Sequence, residues 1–337
     1  MKRLLPLFLM TINSICSAQT TGYHIGNSLT WDSSPTFLDN IASSQGISLT
    51  LGHHINCNRS LIDIWNNPEQ TCIDPIAGFG YYLDALTVDL DYVTAQPFWS
   101  KSSTLGSDEQ VFSDFAVLLD QNPNNTDTTI YLYQAWGADW FMSNGDWYND
   151  VLDSDMTPTT ASDEYFVHLY NRLTSSHVRP IRIIPVGQVI DALNTRITEG
   201  NLFGVSSIQD LYRDSIHMSY DLGRFAASVT TIVVLLDIPP FGLHEVWIEQ
   251  FGDGGYDRQT FVDIENTIWD IVSQDSRTGV NPCLGDANRD GNITPSDFTA
   301  WISAFNSEYS IADQNRDGYV TPADFTAWIN NYNAGCS

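Results

Sequence analysis

Residues 286–302 are repeated almost residue for residue at 313–329. A duplication this close restricts that end of the chain to two copies of one loop-and-helix unit. Each copy places Asp, Asn and Asp at loop positions one, three and five, Gly at six and Asp at twelve. That is the ligand spacing of an EF-hand-type calcium loop, where hard oxygens wrap the ion, the glycine permits the sharp turn and the last carboxylate comes from the following helix. Asp286, Asn288, Asp290 and Asp297 are the candidate side-chain ligands of one ion, joined by the backbone carbonyl of Asn292. Asp313, Asn315, Asp317 and Asp324, with the carbonyl of Tyr319, would serve the other; Thr294 and Thr321 occupy position nine. Asp rather than Glu at position twelve favours a structural Ca2+ over a switching one.

The opposite end begins Met1-Lys2-Arg3, continues through the apolar run 4–12 and reaches the small residues Cys16-Ser17-Ala18. This is the three-part layout of a secretory signal peptide over 1–18, and the apolar run is too short to span a bilayer. An extracellular or periplasmic protein without membrane insertion is expected. Export suits the cysteines: Cys57, Cys72, Cys283 and Cys336 remain after cleavage. Of three possible connectivities, only Cys57–Cys72 with Cys283–Cys336 keeps each bond inside one domain. A formal charge of -27 excludes a phosphate backbone as partner, because nucleic-acid binding needs a basic surface, and it disfavours anionic membranes equally.

Between these ends, over 19–275, apolar runs alternate with amphipathic stretches, the pattern of parallel strands separated by covering helices. Strands are expected at 22–26, 48–53, 92–96, 129–134 and 181–185. Helices are expected at 35–44, 108–119, 163–175, 187–197 and 221–235, the last apolar on most sides and therefore buried. The result is a three-layer α/β domain. Residues 276–282 read as a linker, and 283–337 as the small all-α calcium-binding domain.

The chemistry concentrates at two places. The apolar Tyr23-His24-Ile25 run leads into Gly26-Asn27-Ser28-Leu29-Thr30, which puts Ser28 at the carboxyl end of a strand, where open α/β sheets bind ligands. Serine needs a base that is itself oriented, and Asp214-Ser215-Ile216-His217 supplies an acid and an imidazole three residues apart.

These blocks, Gly-Asn-Ser-Leu and Leu211-Tyr212-Arg213-Asp214-Ser215-Ile216-His217-Met218-Ser219, resemble the first and last motifs of the SGNH (GDSL-like) hydrolases, over roughly 21–245. The resemblance implies a flavodoxin-like α/β/α sandwich and an acyl-ester hydrolase with Ser28, His217 and Asp214 as its triad, needing no cofactor for catalysis. Its second block implies an oxyanion-hole N–H at Asn58, where the family has glycine. The third block, Gly-x-Asn-Asp, is absent; Gln96 stands as the candidate to replace its asparagine, beside a purely structural reading of that glutamine. The duplicated loops, with their bracketing cysteines, resemble a dockerin module. That implies a cohesin-like or cell-surface partner, although loop positions ten and eleven are Pro295-Ser296 and Pro322-Ala323.

A secreted hydrolase with such an appendage fits acylated polysaccharide as the ester substrate. A lipase or arylesterase would use the same mechanism, and a catalytically silent binding protein of the same fold is the alternative from another class. Trp31, Trp99, Trp136 and Trp140 lie near strand ends, where they either stack on sugars or pack internally. His53-His54 is expected to be structural, since neighbours on a strand point to opposite faces and cannot easily share a metal.

Overall fold

The computed structural model describes residues 19–98, 103–145, 147, 162–176 and 179–336; the signal-peptide reading and Trp99 lie outside them. Five strands, β1 (Thr20–Gly26), β2 (Leu49–Ile55), β3 (Tyr92–Ala95), β4 (Thr129–Tyr133) and β5 (Ile181–Ile184), form one parallel sheet in the order β2-β1-β3-β4-β5. Their side chains are buried on both faces, which is why they read as apolar runs rather than alternating ones.

The helices are α1 (Ser28–Asp32), α2 (Leu38–Ser44), α3 (Leu61–Asn66), α4 (Tyr82–Ala85), α5 (Leu105–Leu119), α6 (Asp139–Ser143), α7 (Asp163–Ser176), α8 (Val186–Thr198), α9 (Leu222–Leu236), α10 (His244–Phe251) and α11 (Arg258–Val272). Two groups cover the sheet: α2, α8, α9, α10 and α11 pack on one another, and α3, α5 and α7 do so separately. This is consistent with a three-layer sandwich. The expected strands and helices are all present with shifted ends. One differs in kind: Pro35 opens no helix and lies in the turn between α1 and α2. The chain turns helical at Ser28 instead, because the Asn27 side chain caps that helix by accepting from Leu29 N at 2.9 Å. As its composition required, α9 is buried almost all round.

Strand order decides where a ligand fits. From β1 the chain moves outward to β2, then crosses back to β3 on the other side and continues outward through β4 to β5. The connections beyond β1 and β3 therefore diverge and leave a crevice at their carboxyl ends.

The duplicated segment forms α12 (Pro295–Asn306) and α13 (Ala323–Ala334), whose Trp301 and Trp328 rings stack at 5.8 Å as the centre of a small separate core. Residues 276–282 are not a loose linker. Ile183 N on the edge strand donates to Arg277 O at 3.1 Å, Thr278 is buried, and Asn281 N donates to Asp237 Oδ1 at 2.8 Å. Both disulfides, Cys57–Cys72 and Cys283–Cys336, are formed as the domain argument required. Among the described residues no helix is long and apolar enough to cross a membrane.

Candidate active site

Ser28 is the first residue of α1, directly beyond β1 at the crevice. The corner is tight. A Cβ on Gly26 would lie 2.1 Å from Thr30 Oγ1 and 2.9 Å from Gln96 Oε1, so only glycine fits there. Gln96, just past β3, locks this corner: its Oε1 accepts from Thr30 Oγ1 at 2.7 Å, Thr30 N at 3.0 Å and Asn27 N at 3.2 Å. Three donors on one oxygen fix the orientation of the amide. Its Nε2 is buried with no hydrogen-bond partner, so it would have to be uncovered to reach a substrate oxyanion. The observed contacts are those of a buttress for the serine corner.

On the other side of β1, Asn56 N donates to Gly26 O at 2.9 Å, and Asn27 Nδ2 donates to Arg59 O at 3.1 Å. The segment carrying Asn58 is thereby held beside Ser28. Asn58 has φ 56°, the left-handed conformation a glycine would otherwise supply. The Cys57–Cys72 bond and the bond from Cys72 N to Ile55 O (2.9 Å) secure this segment from behind.

His217 comes from a hairpin-like loop after β5. Tyr212 and Met218 form an antiparallel bridge, Arg213 N donates to His217 O at 3.0 Å and Ser219 N to Leu211 O at 2.8 Å. Within it Asp214 Oδ1 accepts from Ile216 N at 3.0 Å and His217 N at 2.9 Å, while Oδ2 lies 2.8 Å from His217 Nδ1. Partial burial would raise the Asp214 pKa, but those two amides and the imidazole outweigh it and hold the carboxyl at about 2. The other ring nitrogen, His217 Nε2, is 3.0 Å from Ser28 Oγ. Sequence positions far apart are thus joined in one Ser–His–Asp chain of hydrogen bonds.

Neighbouring loops hold the histidine loop. From the connection beyond β4, Trp136 Nε1 donates to Ile216 O at 2.6 Å and Asp139 N to Ser215 O at 3.0 Å, while Tyr212 OH of the histidine loop donates back to Gly137 O of that connection at 2.9 Å. Sequence reading missed Asp32. This fully buried carboxylate at the end of α1 accepts from Arg213 Nη1 at 2.8 Å, Arg224 Nη2 at 2.8 Å and Met218 N at 2.9 Å. It ties the helix bearing Ser28 to both flanks of His217. The available signal was an acid four residues beyond Ser28 with arginines on either side of His217.

No family model matches the chain, and no curated protein matches it. A solved structure of a DUF4886 family protein from Bacteroides uniformis ATCC 8492 is similar, with 16% identity over 76% of this chain and 95% of that one and a TM-score of 0.50. At this identity the likeness is one of fold alone.

The remaining candidates separate clearly. Trp140 is 57% exposed beside the histidine loop, Trp136 is buried, and Trp31 packs edge-on to His53. His53 and His54 each donate Nε2–H to a backbone carbonyl, of Asp74 and Gln70, both at 3.1 Å. Burial pushes both below the ordinary imidazole range, His54 to about 4, as neutral structural rings require.

In the duplicated loops Asp286, Asp297, Asp313 and Asp324 are buried. Their oxygens accept from loop amides: Gly291 N to Asp286 at 2.8 Å, Thr294 N to Asp297 at 2.7 Å, Gly318 N to Asp313 at 2.7 Å and Thr321 N to Asp324 at 2.8 Å. Asn288 and Asn315 donate to Asp290 and Asp317, and Asn292 N and Tyr319 N donate to the same two carboxylates. Burial, with the charges of Asp324 and Asp317 nearby, pushes Asp313 up to about 7. Among the described residues no three His, Cys, Asp or Glu side chains converge as a metal cluster; the carboxylates are turned to the loops' own amides.

Proposed function

We propose that the protein is a secreted serine esterase of the SGNH type that hydrolyses acyl, chiefly acetyl, esters on polysaccharide. The observation carrying this reading is the relay at the sheet's crevice: Ser28 Oγ to His217 Nε2 at 3.0 Å and His217 Nδ1 to Asp214 Oδ2 at 2.8 Å. Asp214 fixes the imidazole with its free nitrogen toward the hydroxyl. His217 takes the Ser28 proton as Oγ bonds to the ester carbonyl carbon. The tetrahedral oxyanion is met by the N–H groups of Ser28 and Asn58, each such donor being worth roughly 10²–10³ in rate. His217 returns the proton to the departing alcohol, and water, deprotonated by the same ring, releases the acid. Gln96 serves the reaction by holding the corner from which Ser28 projects.

Carbohydrate as the substrate is supported by Trp140, 57% exposed beside the histidine loop, since exposed aromatic faces stack on sugar rings. The duplicated loops are read as a dockerin-like pair of structural Ca2+ sites. Buried carboxylates at positions one and twelve of each loop fit a divalent cation, which supplies the charge they lack as partner.

Release of p-nitrophenol from its acetyl ester tests the enzymatic reading. Wild type is expected to turn over, and Ser28→Ala to lose several orders of magnitude in rate with its fold intact by circular dichroism. Equal rates would eliminate the relay, and comparison of acetylated xylan with a long-chain ester separates carbohydrate from lipid substrates.

A further inference from the structure

The fourth position of each duplicated loop holds an arginine, Arg289 and Arg316, and both have left-handed backbones, φ 58° and 64°. Non-glycine residues seldom adopt that conformation, and both side chains make their contacts outside their own loops. Arg316 pairs with Asp270 Oδ1 at 2.7 Å and Asn266 Oδ1 at 2.8 Å on α11, lies 5.4 Å over the Phe241 ring, and receives Asn266 Nδ2 on its own carbonyl at 3.1 Å. Arg289 lies 5.7 Å over Trp269 of the same helix and 3.9 Å from Asp237. Two further contacts join the same bodies. Gln45 Oε1 accepts from Ser310 N at 2.7 Å, and a Cβ on Gly318 would lie 2.6 Å from Val262.

We propose that the duplicated segment's partner is the chain's own α11 face, gripped by Arg289 and Arg316, and that a divalent cation in the loops fixes the backbone that aims them. The cation half rests on the calcium reading above. Its route is short: Asp313 Oδ1, a position-one ligand, accepts from the Arg316 amide itself at 2.8 Å. Charge supports the arginine half. A chain with 41 acidic and only 14 basic residues places an arginine at the same point of both copies, each against an acid of the α/β domain.

The test uses the full chain. Calcium calorimetry is followed by hydrogen exchange at 266–270 and protease cleavage at 276–282, with and without EDTA, in wild type and in the Arg289→Ala/Arg316→Ala double variant. Wild type is expected to bind two ions and, on chelation, to exchange about tenfold faster at 266–270 and become cleavable. The double variant is expected to bind both ions yet show the faster exchange with calcium present. If that variant fails to fold, Arg316→Lys replaces it, keeping the charge without the planar paired contact. Calcium binding with no change in exchange on chelation overturns the coupling. Wild-type protection in the calcium-loaded double variant overturns the role of the arginines, and absence of binding heat overturns the cation half at its premise.

Discussion

Asp214 organises its own loop and the ring of His217 with one carboxylate, because acid and histidine sit three residues apart with the intervening amides turned inward. Asp214→Asn keeps the shape but offers an amide donor where Nδ1–H must donate, favouring the wrong tautomer. A fall in kcat on the order of 10³–10⁴ is expected at unchanged KM, read by the p-nitrophenyl assay. The sign of the pH effect follows from the depressed pKa. Its stabilising contribution is present above the unfolded value of about 3.9 and is lost as pH falls toward about 2. Acid unfolding below pH ~4 should therefore be shallower in Asp214→Asn, and an identical slope would refute the assignment. Ser28, His217 and Asp214 were legible because each belongs to a short local pattern. The acceptor role of Gln96 Oε1 was not, since it depends on β3 lying beside β1.

At the scale of elements, α1 and the loop of residues 211–219 are fastened by buried charge. Asp32 faces two guanidinium groups, and removing it leaves both without their shared partner. Asp32→Ala is therefore expected to cost about 3–5 kcal/mol in urea unfolding. Arg224→Lys, which keeps the charge but not the two-pronged contact, should cost far less stability while lowering kcat/KM, because His217 loses its fixed distance from Ser28. Equal proportional losses of stability and activity in both variants would show the cluster to be structural only. Strand positions were readable from apolar runs, with ends differing by a residue or two. The start of α1 was not: Pro35 is a plausible helix opener by composition, but the Asn27 cap at the strand's end acts first.

For the whole molecule, a formal charge of -27 means that folding concentrates like charge. With calcium held constant, raising NaCl from 10 mM to 0.5 M shortens the screening length several-fold. It is expected to raise Tm by about 1–2 °C, the effect of ~1 kcal/mol in a chain of this size; a fall would mean that attractive pairs dominate. The alternation of apolar and amphipathic stretches disclosed an α/β architecture. Neither it nor the duplication disclosed that residues 276–282 pack along the β5 edge, because that depends on a carbonyl, Arg277 O, meeting the free amide of Ile183.

Ser28 stands directly behind the first strand, whereas the imidazole facing it follows the last. A polypeptide still emerging from the ribosome therefore has Ser28 without the imidazole that faces it. On the proposed esterase reading, the relay closes only once about the first two-thirds of the chain, through His217, has been made and folded, so the order of synthesis itself keeps a shorter chain from acting on esters.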